Sequence, residues 1–256
     1  MRLTIIGSSG SLAGPQSPAS SYLLTPDDGS DPVIMDLGPG AMGVLPQVTD
    51  PGRAHIVFTH LHADHCLDFP SLLVWRRFHP QLAAKSKHTF VGPDFSAEHL
   101  GLASADAPGD VDDFSDSFVI HSWREGVVQS VGAFDFTPVR VIHPTETYAL
   151  RAVERETGHT LVFSADTAYC DQLVDLAKGA HTLLCEASWG VSSENAAPDM
   201  HMSGPEAAKT ATRAGVKRLI LTHIPPWIDA LATVGAAQDH FSGEIDVATP
   251  KKTYEF

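Results

Sequence analysis

Cysteine is scarce in this chain, with only Cys66, Cys170 and Cys185 and no C-x-x-C pair among the three. That is too few for a disulfide framework and lacks the spacing of a thiolate zinc ribbon, so a reducing compartment is expected. Cys66, although it adjoins the histidine cluster, is expected to be a packed thiol, as free cysteines commonly are. Basic residues are scarce too: 17 Lys and Arg stand against 31 Asp and Glu, a formal net charge of −14. A surface of that sign repels a polyanion and argues against long nucleic acid as a partner. No apolar run approaches the roughly 18 residues of a membrane span. Leu3-Thr4-Ile5-Ile6 ends at Gly7, too short for the apolar core of a signal peptide. A soluble cytoplasmic protein without a membrane partner is the expectation. Linkers, low-complexity tracts and internal repeats are also missing, so residues 1–256 are expected to form one α/β domain. The glycines between Gly7 and Gly14 have neither the spacing nor the following helix of a dinucleotide fingerprint.

Histidine is what the chain has in quantity, 14 residues, and four potential metal ligands crowd into Thr59-His60-Leu61-His62-Ala63-Asp64-His65. Ala54-His55-Ile56-Val57-Phe58 ahead of it reads as a buried strand, and Leu67, Leu72, Leu73 and Trp75 behind it as a helix near residues 67–79, ending before Pro80. The ligands therefore sit on a strand-to-helix turn. In extended chain His60 and His62 point the same way, while Asp64 and His65, entering the helix, can turn to a second point. One turn could serve two metals. Imidazole with carboxylate suits zinc first, with manganese or iron as alternatives.

In chain order, strands are expected at Leu3–Ile6, Ser21–Leu24 and Val33–Asp36, the last ending at the Leu37-Gly38-Pro39-Gly40 turn. Asp36 could support the metal-bound histidines from behind, because such imidazoles donate their other N–H to a carboxylate or carbonyl; it could equally cap the turn. Arg76 and Arg77 lie roughly 16 Å along the helix from His65, too far for a phosphate clamp at 1.5 Å per residue, and are expected on a solvated face or at the contact of a homodimer. Asp106, Asp110, Asp112, Asp113 and Asp116 crowd a loop expected to be solvated. Residues 118–123, 127–131, 134–143, 148–153 and 160–164 read as an antiparallel meander. Helical patterns occupy 94–103, 171–178, 204–214 and 227–238, and Thr182–Glu186 and Arg218–Thr222 are apolar strands. Two blocks of strands, each finishing in helices, suggest two sheets packed face to face with helices outside.

His143, Asp166 and His223 each stand where one of these strands stops, and strand ends give a rigid ligand shell. His201 lies in the loop leading into the helix at 204–214, and Glu186 closes an apolar strand.

Together, the Thr-His-Leu-His-Ala-Asp-His run, His143, Ser-Ala-Asp166-Thr and Thr-His223 resemble the motifs of the metallo-β-lactamase-fold hydrolase superfamily, in order and over nearly the whole chain. The resemblance implies a four-layer αββα sandwich with a dinuclear site between the sheets. By that likeness His60, His62 and His143 hold one divalent ion, Asp64, His65 and His223 the other, and Asp166 bridges them. Cys185-Glu186-Ala187-Ser188 and His201-Met202-Ser203 are similar to the superfamily's phosphodiesterase branch, which includes the tRNA 3′-processing endonucleases. There the counterpart of His201 assists the leaving group and that of Glu186 supports it; Asp64 is counted with these two as catalytic. Only 22 residues separate His143 from Asp166, which leaves no room for the arm with which those nucleases grip tRNA. The opening strand, Gly14–Ser20, Trp75–Pro80 and Leu221–Trp227 are similar to actinobacterial atypical cyclic-nucleotide phosphodiesterases. The reaction these likenesses imply is hydrolysis of a small phosphodiester, a 3′,5′-cyclic nucleotide, by hydroxide formed between the two metals. Acyl hydrolysis, as by a thioesterase, lactonase or β-lactamase, is the alternative the same ligands allow.

Overall fold

The computed structural model describes all 256 residues. Its first half builds β1 (Arg2–Gly7), β2 (Ser21–Thr25), β3 (Val33–Leu37) and β4 (His55–Val57), then two helices, α1 (Ala63–Cys66) and α2 (Phe69–Phe78). Next come β5 (His88–Gly92), α3 (Ser96–Ser104) and β6 (Phe118–Ser122). The second half contains β7 (Gln129–Val131), β8 (Phe134–Arg140), β9 (Tyr148–Glu154), β10 (Thr160–Phe163), α4 (Asp171–Ala177) and β11 (Thr182–Glu186). It closes with α5 (Gly204–Ala214), β12 (Arg218–Thr222), α6 (Ala230–Gln238), β13 (Glu244–Val247) and β14 (Thr253–Glu255).

Two seven-stranded sheets result, ordered β14-β1-β2-β3-β4-β5-β6 and β13-β12-β11-β10-β9-β8-β7. Each begins antiparallel, through β1 to β3 in one and β7 to β10 in the other, then runs parallel through β3 to β6 and β10 to β13. Parallel neighbours need crossovers, and helices supply them, packed on the outer faces. Strands covered on both sides are apolar at successive positions. Val57, Leu184 and Ile220 point into the core between the sheets, while their neighbours Ile56, Leu183 and Leu219 pack outward under the helices. The layers are helix, sheet, sheet, helix.

Four expectations need correction. The strand at 118–122 does not open the meander: β6 pairs parallel with β5 in the other sheet. Trp123 anchors its end there, donating from Nε1 to the Phe58 carbonyl at 2.7 Å. Strand periodicity reports burial, not the partner, so the sequence pattern could not assign it. The helix expected from 227 starts at Ala230, because Ile228 N closes a turn on the Pro225 carbonyl and Asp229 caps Leu231 and Ala232. Arg76 is not solvated: it is 2% exposed and lies on the face of α2 that also buries Phe69, Leu72 and Leu73. Its guanidinium donates to the carbonyls of Gly52, Ala54, Ser86 and Ser117 and to His88 Nδ1, at 2.9–3.4 Å, and stacks 4.2 Å over Phe118. Finally, the Asp-rich loop is not simply solvated, since Asp112 and Asp116 clamp Arg77 at 2.6–3.0 Å. Strands β13 and β14, short and polar, had no expected counterpart.

Candidate metal centre

The seven ligand-type residues meet at the carboxyl ends of the parallel strands, the end of an open α/β sheet where ligands bind. Chain leaving β4 carries His60 and His62, α1 carries Asp64 and His65, Asp166 follows β10, and His223 follows β12. His143 arrives three residues past β8. Their donor atoms form two groups, His60, His62, His143, Asp166 and Asp64, His65, Asp166, His223, with all atoms of a group within 4.8 Å of one another. Asp166 belongs to both. The two groups are the two that the sequence motifs suggested.

Three positions at or beside the centre are strained in the same way. Asp36, Ala165 and His223 have φ of 58°, 55° and 53°, the left-handed region that costs an L-residue roughly 1–2 kcal/mol. Asp36 lies within β3, while Ala165 and His223 follow β10 and β12, and such strain persists where surrounding structure holds it. Glycine is required beside them: a Cβ on Gly38 would stand 1.9 Å from the Asp64 carbonyl oxygen, and one on Gly10 would stand 2.3 Å from that of His223.

The N–H partners set each imidazole's tautomer. Asp36, fully buried, accepts from Thr59 N and Oγ1, both at 2.8 Å, and from His65 Nδ1 at 2.8 Å. Since the Thr59 hydroxyl donates to Asp36, it accepts from His60 Nδ1 at 3.0 Å. His143 Nδ1 donates to the Met200 carbonyl at 2.9 Å. Ser188 Oγ donates to the His223 carbonyl and therefore accepts from His223 Nδ1, each at 2.8 Å. In His60, His65, His143 and His223 it is thus Nε2 that is turned to the centre.

That geometry fits cations. His60 Nε2 and Asp166 Oδ1 are buried with no hydrogen-bond partner, an expensive state for polar atoms unless an ion satisfies them. His65 Nε2 lies 3.2 Å from His223 Nε2, and His143 Nε2 lies 3.0 Å from His62 Nδ1. Facing lone pairs at such distances repel unless a proton or metal ion sits among them. The local field agrees. Burial alone would raise Asp166 and lower His65; instead the imidazoles of His223 and His65 hold the Asp166 carboxyl well below its ordinary range, and Asp166 and Asp64 raise His65. His60, buried among other imidazoles, is driven well below its ordinary value.

Beside the two groups stands His201. Its Nδ1 donates to Glu186 Oε1 at 3.0 Å, and its ring faces those of His143 and His223 at 5.4 Å and Trp189 edge-on at 5.3 Å. Glu186 is fully buried at the end of β11 and also accepts from the backbone N–H of Thr167, Ser188 and Met202 at 2.7–3.2 Å. Burial alone would lower His201, but the Glu186 carboxylate raises it to about 9. One nitrogen of the ring is anchored and the other is available.

The structure brings all the expected site residues together, Asp36 behind them. Sequence reading missed Thr59, Ser188 and the Met200 carbonyl. Thr59 and Ser188 carried a signal, one hydroxyl immediately before the His60 motif and one two residues after Glu186. A backbone carbonyl carries none.

Residues 31–224, about three quarters of the chain, match the sequence model of the β-lactamase superfamily domain. An uncharacterized protein of Mycobacterium leprae is 44% identical over the full chain and 88% of its own length. The protein named probable metallo-hydrolase YhfI of Bacillus subtilis is 27% identical over 97% of each. Among solved structures, that of YhfI superposes with a TM-score of 0.87 at 23% identity, covering 100% of this chain and 99% of its own. Human tRNase Z, short form, gives 0.73 at 21% over 100% and 99%. Unliganded yeast PDE1 gives 0.77 at 14% over 98% of each.

Proposed function

The chain belongs to the β-lactamase superfamily and is a metal-dependent hydrolase, and on that footing we propose that it cleaves a small phosphodiester, a 3′,5′-cyclic nucleotide. In this reading His60, His62 and His143 hold one divalent ion, Asp64, His65 and His223 a second, and Asp166 both. Divalent ions there, zinc first with manganese or iron as alternatives, supply Lewis acidity toward phosphoryl oxygens and lower the pKa of bound water.

The observation that carries the choice of a phosphodiester is the His201–Glu186 pair beside the metal groups. A ribose alkoxide is a poor leaving group and needs a proton as the P–O bond breaks. His201 gives that proton from Nε2 while Glu186 holds Nδ1 and stabilises the charged ring, a general-acid role worth about 10²–10⁴-fold. The backbone N–H groups of Thr167, Ser188 and Met202 on the same carboxylate keep Glu186 fixed as the ring changes charge. Asp64, which His223 Nε2 approaches at 3.0 Å, helps hold the ligand shell in register. The chain between His143 and Asp166 is taken up by β9 and β10, with no arm for tRNA.

The test compares 3′,5′-cyclic AMP, bis-p-nitrophenyl phosphate and p-nitrophenyl acetate on metal-loaded protein, native and His201→Ala. The diesters should be cut faster than the ester. The variant should lose about 10²–10⁴-fold on the cyclic nucleotide, much less on the nitrophenyl diester, whose leaving group needs no acid, and should keep its metal content. Faster ester cleavage, or an equal loss on both diesters, would refute the reading.

A further inference from the structure

Past the metal centre, the chain that continues from His223 builds an exposed apolar face. Trp227 is 65% exposed, and Leu231, four residues on in the first turn of α6, is 82% exposed. Two loops extend the face. A Cβ on Gly190 would lie 2.8 Å from Ile228 Cγ2, which sets Val191, 53% exposed, beside this segment; one on Gly14 would lie 3.0 Å from the Pro226 Cβ, which brings the loop of Leu12, 45% exposed, against it too. Along α6 the exposed residues after Leu231 include Ala232 and Gly235, and nothing stands within 4 Å of where a Gly235 Cβ would be. The helix backbone is open to close approach there.

The same face is almost free of charge. Residues 3–26 carry no Asp, Glu, Lys or Arg, and residues 224–238 carry only Asp229, in a chain that is 19% charged. Asp229 caps α6, its carboxylate accepting from Leu231 N and Ala232 N at 2.9 and 3.0 Å. An acidic or a basic partner finds no complement on such a surface. A second copy of the chain does: at a net charge of −14 each, two copies repel wherever acidic surface meets acidic surface, and an uncharged face is where they touch at least cost. Shape agrees. Next to the projecting Trp227 is an uncharged cavity of about 370 Å³ walled by Pro15, Pro225, Pro226, Ile228 and Pro250, so one face offers both projecting and receding apolar parts, as a self-complementary twofold contact requires. The other exposed apolar helix face, Val74 and Phe78 of α2, borders a groove edged by Asp106 and Asp110, and a twofold contact there would set like charge on like.

We propose that this face is the contact between two copies of the chain, α6 lying against its mate with Trp227 and Leu231 at the middle. The area is sufficient. Leu12, Val191, Trp227 and Leu231 together expose about 400 Å² of apolar side chain, taking the usual areas of such residues. A homodimer contact is about 65% apolar, so one built on these four covers about 600 Å² per copy, or about 1,200 Å² in all, the lower end of specific protein–protein interfaces. A contact of that size belongs at the weak, micromolar end of dimer affinities.

Sedimentation of the full, metal-loaded chain over a range of concentrations tests this. The native protein should pass from monomer to dimer in the micromolar range, and added sodium chloride should strengthen the dimer, because salt screens the repulsion between two acidic bodies while the contact itself holds no ion pair. Leu231→Glu, at a position too exposed to affect folding of the single chain, should weaken dimerisation at least tenfold with the melting temperature and metal content of the monomer unchanged. Trp227→Ser should do the same and serves if the first variant does not fold. Phe78→Asp, on α2, should leave the dimer as it is. A native protein that stays monomeric at about a hundred times micromolar concentration, a dimer that salt dissolves, or one lost in Phe78→Asp and kept in Leu231→Glu would each overturn the proposal. So would a monomer that binds phosphatidylcholine vesicles through Leu231, which would make the face a membrane contact.

Discussion

Replacing Asp36 by asparagine should loosen the metal centre from behind without touching a ligand. The backbone is not the reason, because asparagine tolerates the left-handed conformation found at Asp36, φ 58°, about as well as aspartate. The change is in donors. Asp36 accepts three hydrogen bonds, from Thr59 N, Thr59 Oγ1 and His65 Nδ1. An amide oxygen can keep Thr59 N, but its NH₂ then faces both the Thr59 hydroxyl and the His65 Nδ1–H. The hydroxyl can rotate. His65 is buried and cannot, so it either leaves a donor unsatisfied, at about 1–3 kcal/mol, or moves its proton to Nε2 and forfeits the lone pair turned to the centre. Outer hydrogen bonds of this kind affect metal affinity by about 10–100-fold, or about 1.4–2.8 kcal/mol at 1.4 kcal/mol per tenfold. Competition with a chromophoric chelator, read beside atomic-emission stoichiometry, should show the second equivalent of metal weakened by that factor. Wild-type affinity for both equivalents would mean that Asp36 only caps its turn, and the tautomer reasoning would fail.

Two further outcomes are expected. Arg76→Lys places an ammonium with three donors before five acceptors, so at least two buried groups lose their partner and urea unfolding should show a loss of about 2–4 kcal/mol; a loss under about 0.5 kcal/mol would contradict the buried guanidinium. For pH, burial first and then neighbouring His88 lower His55 to about 4, and burial likewise lowers His88, whose Nδ1 accepts from Arg76. The unfolded chain protonates His55 near pH 6.5 and the folded chain does so only near pH 4, so stability rises with pH across this window and is lost as pH falls through it. His55 is partly exposed, so its full equivalent of about 3 kcal/mol is discounted to about 1–2 kcal/mol. Between pH 7 and 4.5, His55→Asn, whose carbonyl can still accept from Thr89 N in place of the ring nitrogen, should lose that much less stability than the native protein; identical pH slopes would remove His55 from the account.

How far the sequence reaches differs by residue. The His60 to His65 run and the strand-end positions of His143, Asp166 and His223 were legible because each lies in or immediately after an apolar strand, and a strand's pattern is local. The two-sheet layering was legible for the same reason: alternate residues of strands such as Thr182–Glu186 and Arg218–Thr222 are apolar on both faces, which requires cover on both. Arg76 was misread, although its spacing of four from Leu72 and seven from Phe69 already placed it on the buried face of α2. A charge suggests water until enough carbonyls are known to surround it.

By itself, then, the chain determined which residues could bind metal, in what order, and the kind of sandwich that would hold them, since these depend on side-chain chemistry and on periods of two and 3.6. Only the tertiary structure decided which nitrogen of each imidazole faces the centre, that Asp36 serves both His65 and, through Thr59, His60, that β6 joins the first sheet, and that Ser9 is left with an unpaired hydroxyl beside Gly14. Most of these depend on contacts between residues distant in sequence, such as Asp36 with His65 and β5 with β6. Hydrogen-bond direction and strand partnership belong to the pair rather than to either member, so no local pattern encodes them.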